Sequence, residues 1–365
     1  MKYLFPFILV LILFSCKPDP ATKEEKFEIK RGTNLAHWLS QSDRRGEERE
    51  TFLTEDDIQN IAEMGFDHVR LPIDEEQMWD EDRNRHNDAF KLMTNCIEWC
   101  QKHDLRIIID LHILRSHHFN AAEKPLWTDP AEQEKFYDLW RDLSGVLKNY
   151  HNNLVAYELM NEAVADDPEQ WNNLIANAVK VIRENEPERT IVIGSNKWQQ
   201  VGTFDELKVP ENDKNIILSF HFYEPFMLTH FNAGWTNMKG YTGPVHYPGI
   251  IITQEEFEQL PAEMKELVRN WVGKEFNKVW ILEQWQKPIQ KAKKLGLPLY
   301  CGEFGIITGP PREVMLNWYR DMIDLFEENG IAYANWNYKS GSFGLLDDKG
   351  EKRDEFIQII SGNQD

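Results

Sequence analysis

From residue 32 onward the chain repeats one pattern: a short, apolar, β-branched run followed by a longer amphipathic stretch. Eight such runs are present: Gly32–His37, His68–Pro72, Arg106–His112, Val155–Asn161, Thr190–Gly194, Ile216–Tyr223, Leu299–Glu303 and Ala332–Trp336. Several are almost continuously apolar, as in Ile107-Ile108-Ile109 and Ile191-Val192-Ile193. Strands covered on both faces read this way. The intervening pieces carry helical signals. Thr54 and Asp57 make a capping-box start before Ile58 and Ile61. Helices are expected over Ala89–His103, Ala131–Tyr150, Pro168–Asn185, Val279–Leu295 and Arg312–Asn329, the last stopped by Gly330. A weaker one is expected over Trp198–Leu207, and Arg353–Ile360 could close the ring. Strands alternating with helices give an α/β fold, here a single-domain (β/α)8 TIM barrel. An open doubly wound sheet is the competitor, but no GxGxxG follows the first strand. Residues 224–278 break the period. They form a long loop after strand 6, which in a barrel would overhang the face where substrates bind.

Charge narrows the partners. Among 365 residues, 41 Lys and Arg stand against 61 Asp and Glu, a net charge of −20. A nucleic-acid binder needs a basic face, and no basic run is present, so nucleic acid is excluded as a partner. A polyanionic substrate would be repelled. Neutral substrates remain. The 13 Trp suit stacking on sugar rings, although most must serve the core. Cys96, Cys100 and Cys301 are an odd set with no metal-ligand spacing, so no metal is expected.

The amino terminus reads as an export signal. A positive start is followed by an apolar run from Tyr3 to Phe14, too short to span a bilayer. Leu13-Phe14-Ser15-Cys16 resembles a bacterial lipobox, with Cys16 as the lipidated residue and Phe14 a departure from the small residue usual there. The expected division is a lipoprotein signal peptide at 1–16, a tether at 17–30 and a catalytic domain at 31–365. The protein would then be lipid-anchored to the bacterial envelope (outer membrane or cell surface), or secreted if the lipobox is not used. Nothing reads as a coiled coil, and a monomer is expected.

Polar residues stand at the ends of most apolar runs: Arg70, Asp110 and His112, Asn161 and Glu162, His221 and Tyr223, Glu303, Trp336. A charge placed after a buried strand costs desolvation unless it is paired or used. Glu162 and Glu303 end strands 4 and 7, across the barrel from each other. Glycosidic cleavage needs an acid to protonate the leaving oxygen and a carboxylate to attack the anomeric carbon. Arg70 can hold one carboxylate ionised, Tyr223 can hydrogen-bond it, Asn161 can reach a sugar hydroxyl, and Trp336 offers a ring platform.

These segments resemble glycoside hydrolase family 5, the cellulase-type retaining β-glycosidases. Arg31-Gly32-Thr33-Asn34-Leu35, His68-Val69-Arg70-Leu71-Pro72, Leu111-His112, Glu158-Leu159-Met160-Asn161-Glu162, His221-Phe222-Tyr223, Gly302-Glu303-Phe304-Gly305 and Asn335-Trp336 run in the family's order. The resemblance implies Glu162 as acid/base and Glu303 as nucleophile, with Arg70 and Tyr223 on the nucleophile and His221 on the acid/base. It implies His112 and Asn161 as sugar contacts and Trp336 as the floor of the subsite before the cleaved bond. Ala163 stands where the family most often has Pro. His37-Trp38 resembles the Gly-Trp of the exo-acting β-1,3-glucanase branch and would be a further substrate contact, whereas Phe226, His230 and Trp235 look more like cellulase branches.

Other residues have blander readings. His117-His118 would line the cleft or the surface. Glu158 shares the face of Glu162, as a second acid or a buried salt-bridge partner. Glu224 would sit at the rim, Asp347-Asp348 would cap the final helix, and Cys301 would pack in strand 7. The expected activity is retaining cleavage of a β-linked glucan, foremost as an endo-β-1,4-glucanase in polysaccharide catabolism, with no cofactor because two carboxylates carry both steps. β-Mannanase, exo-β-1,3-glucanase and glycosyl transfer use the same residues. The alternative of another class is a surface glycan-binding protein without turnover.

Overall fold

The computed structural model describes residues 26–347 and 349–362. The expected signal peptide, Cys16, the tether up to residue 25, and Asp348 lie outside the described residues. Eight strands form one closed parallel barrel: β1 (Arg31–Asn34), β2 (His68–Asp74), β3 (Arg106–Ile113), β4 (Val155–Glu158), β5 (Ile191–Gly194), β6 (Ile216–Phe222), β7 (Leu299–Phe304) and β8 (Ala332–Asn335). Each pairs with its neighbour in sequence, and β8 returns to β1. Every expected strand is present. Helices at Glu55–Glu63, Asn87–Lys102, Pro130–Leu147, Pro168–Arg183, Gln286–Leu295, Arg312–Asn329 and Asp354–Ile360 lie outside it. Thr54 and Asp57 close the expected capping box, and Gly330 ends its helix in the left-handed region at φ 62°.

Alternation along the strands sorts two cores. Ile107 and Ile109 join the large cluster between sheet and helices, while Ile108 joins a smaller one with Phe27, Ala156, Val192, Ile217, Tyr300 and Ala334. Ile191 and Ile193 flank Val192, and Ile216 and Leu218 flank Ile217, in the same way. The small cluster therefore fills the barrel's interior toward the strand starts. Stepping by two from it puts Arg70, Asp110, His112, Glu158, Ser219 and His221 on the inward face, nearer the strand ends.

Glu303 breaks that parity. Tyr300 points inward, so strict alternation would send Gly302 inward and Glu303 out. The β6–β7 register instead jumps: Phe220 pairs with Cys301, and His221 pairs with Glu303. The extra residue, Gly302, is a β-bulge that re-aims Glu303 into the barrel. Glycine suits that place because an added Cβ would lie 3.0 Å from Ser219 Oγ and 3.1 Å from His221 Nε2.

Two expectations need correction. The long stretch after β6 is not a bare loop. It folds into short helices at Phe226–Thr229, Gln254–Gln259 and Ala262–Val268, plus a ribbon pairing Gly249–Ile250 with Glu275–Phe276. Buried Met238, Tyr241, Tyr247, Ile251, Ile252 and Val268 tie this cap to the main core. The helix over Trp198–Leu207 does not form either. Lys197, Trp198 and Gln199 take left-handed φ values of 52°, 62° and 52°, which no right-handed helix can continue.

Candidate active site

Arg70 organises the strand ends. Its side chain is fully buried and makes four hydrogen bonds and a further ion pair. Nε donates to Glu158 Oε2 at 2.6 Å. Nη1 donates to Asn34 Oδ1 at 2.9 Å and to Glu303 Oε1 at 2.8 Å. Nη2 donates to Asn161 Oδ1 at 2.8 Å and meets Asp110 Oδ2 at 3.0 Å. One cation thus faces three buried carboxylates. Burial pushes Asp110 up to about 7 against the pull of Arg70.

The two glutamates differ in their partners. Glu303 receives Arg70 on one oxygen and the Tyr223 hydroxyl, at 2.9 Å, on the other. Glu162 Oε1 lies 3.0 Å from His221 Nδ1, and that nitrogen is 3.6 Å from Glu303 Oε2. Burial, then the charge of Glu303, raises Glu162 well above the usual carboxylate range. Burial raises Glu303 too, but Arg70, His112 and Tyr223 oppose it. Glu303 is therefore the first of the pair to ionise. Burial and nearby Arg70 hold His221 well below its ordinary value, so its ring is neutral. An acidic and an ionised carboxyl side by side are what acid-assisted displacement requires.

Glu162, His221 and Glu303 each present one ligand atom, all within 4.8 Å of one another. A transition ion could use the same atoms, but only by occupying both carboxylates.

His112 gives Nδ1 to Asp110 at 2.6 Å and stacks on Trp336 with centroids 5.7 Å apart at 12°. Burial lowers it to about 4, so it too is neutral. His37 meets Trp336 edge-on at 6.1 Å. Trp38 does not belong to this group. It is buried in the main core, with Nε1 donating to the Arg49 carbonyl at 2.7 Å, because the left-handed turn at His37 (φ 58°) sends the next side chain inward behind β1. His117 is also a core residue rather than a cleft wall. Its ring accepts the Val164 N–H at 3.2 Å and packs against Trp127, while His118 is exposed. Glu158 is the salt-bridge partner of Arg70. Glu224 accepts the Phe226 N–H and lines the cleft. Asp347 holds the turn to Glu351, and Arg353 precedes the final helix instead.

A cleft of about 1280 Å³ opens beside Glu162, His221 and Tyr223. Its walls carry Phe119 from the loop after β3, Trp198 from the turn after β5, and Trp235, Trp271 and Phe276 from the cap. Trp235 is the most exposed tryptophan among the described residues, at 64%. Of these, Trp198 and Trp271 carried no sequence signal beyond tryptophan abundance. Asn34 and Gln199 were also missed as site residues. Asn34 at least ends an expected strand, whereas Gln199 lay in an expected helix.

A model of the family described as Cellulase (glycosyl hydrolase family 5) matches residues 25–342. The chain is 37% identical over 347 residues to Endoglucanase C of Acetivibrio thermocellus, covering 91% of this chain and 98% of that one. It is 32% identical over 308 residues to Cellodextrinase A of Ruminococcus flavefaciens, covering 83% and 84%. Among solved structures, a hyperthermophilic endo-β-1,4-glucanase in complex with substrate superposes with a TM-score of 0.73 at 25% identity, over 92% of this chain and 97% of that one.

Proposed function

The chain belongs to glycosyl hydrolase family 5, the cellulases, and from that footing we propose that it is a retaining endo-β-1,4-glucanase. The observation that carries this reading is the meeting of Glu162, from the turn after β4, with Glu303 of β7, one oxygen of each within 4.8 Å of the other and each with its own partners. Retaining enzymes hold their carboxyl groups about 5–5.5 Å apart, and inverting ones about 6.5–9.5 Å. Oxygens this close favour the retaining arrangement, in which the carboxylate itself reaches the anomeric carbon. Glu162 protonates the leaving oxygen while Glu303, held by Arg70 and Tyr223, attacks the anomeric carbon. Glu162 then takes a proton from water, which releases the sugar from Glu303. His221 orients Glu162. Asn161, with its Oδ1 held by Arg70, offers its amide nitrogen to a sugar hydroxyl, alongside His112 and His37. Trp336 is the floor of the preceding subsite. The long aromatic cleft on the Glu162 side suits the leaving part of a polymer, which favours cleavage within the chain.

Residues 31–365 form the catalytic domain, acting as a monomer. The protein is exported and anchored through Cys16, with 17–30 as tether. No helix among the described residues is long and apolar enough to cross a membrane. The test incubates the protein and its Glu303→Gln variant with neutral hydroxyethyl-cellulose, mixed-linkage glucan, glucomannan and laminarin. Early viscosity loss on a β-1,4-glucan by the wild type alone supports the reading. Preference for laminarin, or glucose release at constant viscosity, contradicts it. Incorporation of labelled palmitate that vanishes in Cys16→Ser tests the anchor.

A further inference from the structure

We infer that Gln199 is a positioning residue for the acid: a single buried amide clamps the backbone of Glu162 and joins it to the Arg70 network that holds Glu303. This rests on reading Glu162 as the acid. Gln199 is fully buried. Its Oε1 accepts the Glu162 backbone N–H at 2.9 Å. Its Nε2 donates to Ser219 Oγ at 3.0 Å and to Glu158 Oε1 at 3.3 Å. The amide has only one workable orientation, because a backbone N–H must meet an acceptor and a carboxylate must meet a donor. Glu158 carries Arg70 on its other oxygen, so the chain of contacts runs Glu162, Gln199, Glu158, Arg70, Glu303.

The backbone is strained at both ends of the clamp. Glu162 has φ 45°, and Gln199 ends the left-handed run Lys197–Trp198–Gln199. A residue in this region persists only where its surroundings hold it. The fold makes room for the clamp at Gly194, where a Cβ would fall 2.3 Å from Gln199 Cγ. Without the clamp Glu162 can leave its left-handed conformation, and its carboxyl swings away from the leaving oxygen. No other residue type of this length both accepts from an amide and donates to a carboxylate at every pH.

The test uses leaving groups of different need. A cello-oligosaccharide requires protonation of its leaving oxygen, whereas 2,4-dinitrophenyl β-cellobioside does not. Gln199→Met should lower kcat/KM on the oligosaccharide about 100-fold, the cost of a misplacement near 1 Å. The dinitrophenyl substrate should lose no more than about threefold, since it draws nothing from the acid. Equal losses on both substrates, or none on either, would overturn the inference. Gln199→Glu supplies a second reading, and decides alone if Gln199→Met does not fold. Its neutral carboxyl can accept from Glu162 and donate to Glu158. It should therefore approach wild type in acid and fall further behind as pH rises and the new carboxyl ionises. The charged or titratable groups around it are Glu158, Glu162, Arg70 and His221. A ratio to wild type that does not change with pH would also overturn the clamp. Glu303→Gln separates the two ideas: it should be inert on both substrates, and activity there would sink the underlying reading instead.

Discussion

Arg70→Met should destabilise the protein in a pH-dependent way. The guanidinium makes contacts of 2.6 to 3.0 Å with Glu158, Asn34, Glu303, Asn161 and Asp110, and its three carboxylate partners are at most 6% exposed. Methionine fills much of the volume and removes the charge that balances them. Deleting one partner of a buried ion pair costs about 3–5 kcal/mol. Three full penalties will not accumulate, because the orphaned carboxyls can take up protons. Asp110 already stands at about 7, and burial raises Glu158 as well. Without Arg70 both move higher. A carboxyl with a raised folded pKa contributes stability that is complete below its unfolded value, near 4, and is lost as pH rises through the folded value. The variant should therefore lose about 3–5 kcal/mol at pH 8. At pH 5 only the hydrogen-bond and packing part remains, about 1–3 kcal/mol. Urea unfolding followed by tryptophan fluorescence at both pH values measures the gap. A deficit that is equal at the two, or larger at pH 5, would refute the account of Arg70 as the counterion of a buried triple carboxylate.

Four further outcomes follow from the same geometry. Tyr223→Phe removes a donor to ionised Glu303; a hydrogen bond to a charged group is worth about 1.5–3 kcal/mol, so the acid limb of the kcat/KM profile should move up by about one to two pH units. In the wild type that profile should fall on the alkaline side well above the usual carboxylate range, because activity needs Glu162 protonated and burial raises it, and the limb should vanish in Glu162→Gln. Trp235→Ala should raise KM about three- to tenfold on long oligosaccharides, an aromatic contact of about 1 kcal/mol, while leaving an aryl cellobioside unchanged in steady-state assays. Gly302→Ala should cost about 1–3 kcal/mol in a thermal melt and depress activity, because the new methyl presses on Ser219 and His221.

The strands were legible because a buried parallel strand is nearly all apolar and ends abruptly in polar residues, so Ile107-Ile108-Ile109 and Asp110-Leu111-His112 mark both its length and its exit. The strand-end residues Arg70, His221, Tyr223 and both glutamates came together for the same reason. Glu303 is legible as the polar end of its strand, but its inward direction is not, since a bulge leaves no mark in hydrophobic alternation beyond a glycine. Trp38 was misplaced because a tryptophan beside a strand end looks alike whether it faces sugar or core; the left-handed turn at His37 decides, and histidine does not announce it. The cap read as loop because its helices are short and its core borrows from the barrel. Gln199 was hidden by an expected helix that the backbone refuses.

The cap enters between β6 and its helix, whereas the groups that touch the bond stand on β7 and on the turn just after β4. Bond chemistry and substrate presentation are thus written in separate stretches of the chain. An insertion or exchange within residues 224–278 can redraw the walls that Trp235, Trp271 and Phe276 provide while leaving the register of β6 and β7 intact. For protein engineering this makes the cap a replaceable cartridge: grafting one from a relative should change which polymer is threaded and how long a segment is gripped, with Glu162 and Glu303 still meeting across the same ring.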